Sequence, residues 1–314
     1  MKIPAIIDCD PGHDDVMAIL LGARTLDLRG ITTVHGNAPL ELTTKNARQT
    51  VELAGLTDIP IAAGMQRPLI REAHFAPNVH GKTGLDGPVL AEPTVPILPD
   101  HAVDFIYSTA KSVDNLHLIP IGPLTNIAAA LLRYPDLPNH VAAISLMGGS
   151  LTHGNSTPAA EFNIWADPDA AHVVFTSGIP IKMVGLNVTR LVAATPEYRA
   201  QIRSFGSKTA VAVADMLDFY SERLKLLYGL PGGSMHDPLA VAALVDPDML
   251  TFEPMHVAIE LTGTHTYGMT VCDNRNRRTD TGERQGERPN AEVAVGVDNG
   301  RFWDLFLDIL QSYP

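Results

Sequence analysis

Cysteine is almost missing from this chain. Cys9 and Cys272 are the only two in 314 residues, too few for a disulfide framework. No apolar run approaches the 18 or so residues of a membrane span, and the opening MKIPAIIDCDPG has no charged n-region followed by a long apolar stretch. These absences predict a cytoplasmic protein with no membrane partner. Basic residues are also scarce, 23 Lys and Arg against 35 Asp and Glu, for a net charge of −12. Binding to nucleic acid works mainly through Lys and Arg releasing counterions, so a nucleic-acid partner is not expected. An uncharged or cationic small ligand fits better. Finally, no linker and no repeat divides the sequence, and residues 1–314 read as a single domain.

What is present is an alternation. Short β-branched runs (IPAIID, LRGITTVHG, IPIAAG, LHLIPIG, VAAISLMGG, IPIKMVGLNVT) read as strands, and DDVMAILLGAR, LTTKNARQTVELAG, HAVDFIYSTAKS, LTNIAAALLRY and DPDAAHVVFTSG between them read as helices. This predicts an α/β fold with a largely parallel central sheet flanked by helices, open and Rossmann-like. HVAIELTG, YGMTVCD and EVAVGVD read as late strands, antiparallel in part, before a final helix near GRFWDLFLDILQ. The charged stretch DNRNRRTDTGERQGERPN, Asp273 to Asn290, reads as a solvated excursion.

Ligands of such sheets sit beyond the carboxyl ends of the strands, and polar clusters fall there: Asp10, Asn37, Gly122 and Met147. The densest is IIDCDPGHDD, with Asp8, Asp10, Asp14 and Asp15. Asp14 and Asp15 alone would suit the first turn of a helix, by roughly 0.3–1 kcal/mol each. That account leaves Asp8 and Asp10 unexplained. Crowded carboxylates must share protons or bind a cation, and an all-oxygen donor set points to Ca²⁺ or Mg²⁺. Pro11 and Gly12 break the spacing of an EF-hand. The remaining ligands must therefore come from elsewhere: NVHGKTGLDGP with His80, whose Gly and Pro mark a mobile loop; GNSTPAAEFNIWADPDAA with Asn155, Glu161 and Asn163; and SMHDPLAVAAL with His236 and Asp237. The other histidines, such as His117, His140 and His172, read as core or surface residues.

With these islands in order, the chain resembles the inosine-uridine-preferring nucleoside hydrolases over nearly its whole length. The resemblance is carried by DCDPGHDDVMAI, the HGN of His35 to Asn37, NVHGKTGLDGP, GPLTNIA, LMGG with GNSTPAAEFNIWADPDAA, and the MHDP of Met235 to Pro238. It implies that Asp10, Asp15, Asp237 and the Ile121 carbonyl hold Ca²⁺, which also engages the attacking water and the ribose diol. It further implies that Asp10 is the general base, that Asp14 grips the 2′-hydroxyl and Asn163 with Asp237 the 3′-hydroxyl, and that Asn37 steadies the water and ribose. Asn155 and Glu161 would read the 5′-hydroxyl, Met147 would pack near the ribose, and Phe162 joins the substrate-binding set. His236 would protonate the departing base, while His80 lies in a loop that closes on the substrate. A homodimer or homotetramer is implied too.

The chemistry is coherent without the family. Breaking an N-glycosidic bond builds positive charge on the ribose, which carboxylates stabilise. A cation and a base activate water, and an acid helps the base depart. Glu161 would repel a 5′-phosphate, and no Walker loop is present to attract one. The DCD of Asp8 to Asp10 imitates a phosphohydrolase of the haloacid-dehalogenase type, but the lysine that class needs is missing; a non-catalytic nucleoside sensor would need no base or acid. Ahead of His236, Tyr228 suits contact with the base, whereas Leu224 offers nothing polar where pyrimidine-preferring relatives often hydrogen-bond. Uridine and inosine are both expected substrates, with uridine and cytidine alone as the alternative.

Overall fold

Neighbouring side chains of the first strand leave on opposite sides: Ile6 joins one apolar cluster and Ile7 another, both fully buried, as the two-residue period of a strand requires. The computed structural model describes residues 2–275 and 286–314, so the middle of the charged stretch Asp273 to Asn290 lies outside the described residues. The strands are β1 (Pro4–Cys9), β2 (Asp27–Thr33), β3 (Ile61–Ala63), β4 (Leu116–Pro120), β5 (Val141–Met147) and β6 (Ile181–Val184). Then come β7 (Ala193–Ala194), β8 (Gly233–Ser234), β9 (Leu250–Ile259), β10 (Thr270–Asp273) and β11 (Ala291–Val297). Nine of them form one sheet in the order β10-β9-β11-β6-β5-β4-β1-β2-β3. From β3 to β6 and on to β11 the pairing is parallel; β9 runs antiparallel to both β11 and β10. The parallel sheet and the antiparallel late strands are therefore as the sequence predicts.

The helices are α1 (His13–Thr25), α2 (Leu40–Leu53), α3 (Pro77–His80), α4 (Ala102–Ser112), α5 (Thr125–Arg133) and α6 (Phe162–Ala166). They continue with α7 (Pro168–Phe175), α8 (Leu186–Thr189), α9 (Pro196–Ser204), α10 (Lys208–Tyr228), α11 (His236–Val245) and α12 (Asn299–Gln311). Residues of α1, α2, α10, α11 and α12 pack with Ile7 on one face, and those of α4, α5 and α7 with Ile6 on the other. One element differs from its expectation. IPIKMVGLNVT stops being a strand at Val184, and Leu186–Thr189 is a helical turn. There Gly185 lets two backbones meet: a Cβ on it would lie 2.9 Å from the Gly149 carbonyl, which accepts the Leu186 amide.

The order β3-β2-β1-β4-β5-β6 places a topological switch between β1 and β4. Chains leave these two strands in opposite directions, opening a crevice at their carboxyl ends. Asp8 pairs with Pro120 across it, so Asp10 and Ile121 emerge side by side. α1 packs against α11, and this contact brings Asp237 to the same place.

Candidate active site

The first turn after β1 is built to hold carboxylates. Asp15 accepts the backbone amides of Asp10 (3.1 Å) and Gly12 (2.9 Å) and the side-chain amide of Asn37 (3.2 Å). Asp10 Oδ2 accepts the Asn37 amide at 2.6 Å, but its buried Oδ1 has no partner among the described residues. A Cβ at Gly122 would come within 2.4 Å of that Oδ1, so only glycine allows β4 to deliver its backbone there. Asp14, Asp15 and Asp237 each contribute a carboxylate oxygen to a group whose members lie within 4.8 Å of one another. None of these four carboxylates is more than 6% exposed.

Burial, then neighbouring negative charge, pushes Asp10, Asp14 and Asp237 well above the ordinary carboxylate range. Asp15, relieved by its amide donors, rises only to about 6, again mainly through burial. Such a cluster must take up protons or a cation. The donor chemistry fits a hard divalent ion: an orphaned carboxylate oxygen on Asp10, three converging carboxylates, and the nearby Ile121 carbonyl. That carbonyl already accepts Asn163 Nδ2 at 2.8 Å, and Asn163 also reaches the Met147 carbonyl at 3.1 Å. This buried acidic cluster can hold a metal ion.

Above it lies a cavity of about 250 Å³. Asp14, Asn37, His80, Ile121, Met147 and Asn155 line it, as do Glu161, Phe162, Asn163, Leu224, Tyr228, His236 and Asp237. Of the residues expected from the sequence, Asp10 and Asp15 alone do not reach the cavity and are enclosed behind it. Glu161 caps α6, accepting the amides of Gly149 (2.9 Å), Asn163 (2.9 Å) and Ile164 (3.2 Å), and burial lifts it to about 7. Asn155 accepts the Phe162 amide at 2.9 Å, which ties the loop before α6 to the cap.

Two imidazoles face the cavity, each fixed from behind. His236 Nδ1 lies 2.6 Å from the Thr189 hydroxyl. That hydroxyl has no other partner among the described residues, so the arrangement that leaves no buried O–H unpaired has Thr189 donating and the His236 proton on Nε2. Burial pushes this imidazole down to about 3, which makes it a neutral donor in the free site. His80 is held by His13, whose Nε2 meets the Asp86 carbonyl at 2.8 Å and whose Nδ1 lies 3.0 Å from His80 Nδ1. A carbonyl only accepts, and burial keeps His13 neutral by pushing it to about 4, so His13 carries its proton on Nε2 and His80 carries its own on Nδ1. The 3.4 Å approach of the His13 amide to that nitrogen is then a contact and not a bond. His80 thus offers the cavity a lone pair, and His236 a proton.

The segment read as a mobile loop opens with the helical turn α3 and is secured by Asp86, which accepts the amides of Lys82 (3.0 Å) and Thr83 (3.1 Å). His13 sits in the same PGHDD as the carboxylates, so its glycine and acidic neighbours were a legible signal that it is more than ordinary core. Thr189, Arg190 and Tyr220 also belong to the site. No local pattern marks them, since Thr189 ends a stretch that reads as strand, Arg190 directly follows it and Tyr220 lies within an amphipathic helix.

A Rossmann-order sheet with a cation-fitting carboxylate cluster at its switch point, below a cavity lined by two imidazoles, is the arrangement of an α/β enzyme that takes a small polar substrate. The comparisons with known proteins give the family. Residues 5–304 match the family model described as Inosine-uridine preferring nucleoside hydrolase, and the chain belongs to that family. It is 43% identical over 317 aligned residues to pyrimidine-specific ribonucleoside hydrolase RihA of Photobacterium profundum, and 41% identical to that of Escherichia coli, with all of both chains covered in each case. Among solved structures, a purine-preferring ribonucleoside hydrolase from Gardnerella vaginalis is 33% identical with a TM-score of 0.90, covering 98% of each chain. A plant nucleoside hydrolase is 32% identical with a TM-score of 0.88, covering 99% of this chain and 100% of that one. The chain is therefore an enzyme of the nucleoside hydrolase kind.

Proposed function

We propose that this enzyme hydrolyses the N-glycosidic bond of ribonucleosides with the help of Ca²⁺, taking uridine readily and inosine measurably. The observation that carries this reading is the unpartnered, buried Oδ1 of Asp10 beside the Asp14, Asp15 and Asp237 cluster. Ca²⁺ would be held by Asp10, Asp15, Asp237 and the Ile121 carbonyl, and when bound would supply Lewis acidity toward water and the ribose diol. Asp10 takes the proton from the attacking water. Asp14 accepts the 2′-hydroxyl, and Asn163 with Asp237 engages the 3′-hydroxyl, so negative charge faces the ribose as it becomes cationic. Asn37, which already bridges Asp10 and Asp15, steadies that end of the site. Met147 and Phe162 pack along the sugar, Asn155 and Glu161 read the 5′-hydroxyl, and His80 closes the cavity. His236 donates from Nε2 to the base as negative charge builds there, while Leu224 and Tyr228 border it.

The RihA relatives support a narrower reading, confined to the pyrimidine nucleosides uridine and cytidine; the apolar Leu224 favours the broader one. We further propose a single-domain, cytoplasmic homodimer or homotetramer with no nucleic-acid partner. No helix among the described residues is long and apolar enough to cross a membrane. The test is ribose release from uridine, cytidine, inosine and 2′-deoxyuridine, before and after removal and return of Ca²⁺. Because a site built for a hydroxyl is left with unpaired polar groups in its absence, deoxyuridine should be worse by a factor on the order of 10⁴. Comparable turnover of uridine and deoxyuridine would refute the diol assignment, and full activity in metal-free protein the cation.

A further inference from the structure

Charges of both signs line the cavity. Asp14, Glu161 and Asp237 supply the acidic side chains, and Arg190 is the only Lys or Arg among the described residues that line it. Arg190 follows directly on α8, whose Thr189 holds His236, and it lines the same cavity as His236, Glu161 and Tyr228. The guanidinium is anchored from behind. Nη1 bonds His153 Nε2 and Nη2 donates to the Gly154 carbonyl at 3.2 Å. A guanidinium has five N–H donors, and no other hydrogen bond engages that of Arg190 among the described residues. Donors therefore remain for a ligand in the cavity.

Heterolysis of the C1′–N bond sends its electron pair to the base, where carbonyl oxygens share the negative charge; water adds to C1′, its proton passes to Asp10, and the base is protonated. A permanent cation fixed on the departing side lowers the energy of that charge separation without giving up a proton. Resting on the hydrolase reading above, we propose that Arg190 hydrogen-bonds a carbonyl oxygen of the leaving base and stabilises its negative charge as the bond breaks. It also supplies the polar contact to the base that Leu224 lacks.

The experiment compares kcat/KM of wild type, Arg190→Gln and Arg190→Lys on uridine, 5′-deoxyuridine and 4-nitrophenyl riboside, with Ca²⁺ present throughout. Removing one preorganised donor should cost about 100-fold on both uridine substrates for Gln, and less for Lys, while the nitrophenyl riboside, whose leaving group departs unaided, changes by less than about threefold. Retained nitrophenyl activity also shows that the variant is folded. Equal losses on all substrates in both variants would overturn the proposal and make Arg190 a brace for the 153–154 loop. A loss on uridine that vanishes with 5′-deoxyuridine would overturn it in favour of a 5′-hydroxyl contact. Unchanged uridine turnover in Arg190→Gln would sink the Arg190 assignment and leave the hydrolase reading standing, whereas wild-type protein inert toward every nucleoside would bring both down.

Discussion

At the scale of single residues, the site spends its polar atoms unevenly. Asp15 has three donors and Asp10 has one free oxygen, so the first is fixed in place and the second is available to act. Asp10→Asn keeps the shape and the Oδ contact to the Asn37 amide but removes the basic oxygen. It should lower kcat/KM for uridine by roughly 10²–10⁴ while shifting the melting temperature little. A variant with wild-type turnover would show that Asp10 is not the base, and one that fails to fold would show that its role is structural.

At the scale of elements, α10 decides how the base is met. Leu224 and Tyr228 are one turn apart and both border the cavity; Ser207 caps the start of the helix, and Gly229 ends it at φ +68°. Giving that face a hydrogen-bonding side chain, Leu224→Gln, should raise the uridine-to-inosine ratio of kcat/KM by a factor equivalent to roughly 1–3 kcal/mol. An unchanged ratio would place Leu224 away from the base. The parallel strands and main helices were legible because their apolar periods are strong, and Asp10 and Asp237 because acidic residues flanked by Pro and Gly stand out. Thr189 and Arg190 were not. GLNVTR continues a β-branched run, and the helical turn that carries both residues starts at Gly185, whose close approach to Gly149 comes from another part of the chain. The tautomers of His80 and His236 were equally invisible, since each depends on a partner from another part of the chain, His13 or Thr189.

At the scale of the whole molecule, burying acid makes stability depend on pH. Glu161 sits at about 7 because burial outweighs its amide donors. A folded-state value above the unfolded one means that its stabilising contribution is complete at low pH and is lost as pH rises through about 7. Relative to Glu161→Gln, wild type should therefore lose stability on the order of 3 kcal/mol between about pH 5 and about pH 8.5, read from urea unfolding at fixed Ca²⁺. Parallel curves for the two proteins would refute this. The contact between α1 and α11 has a different consequence, one of time. During synthesis Asp10, Asp14 and Asp15 emerge from the ribosome with the first strand, but Asp237 comes only after five further strands of the main sheet. A nascent or truncated chain thus carries the repulsion of the site without its last carboxylate, and the group that can hold a cation is complete only once the chain has been made, and folded, as far as α11.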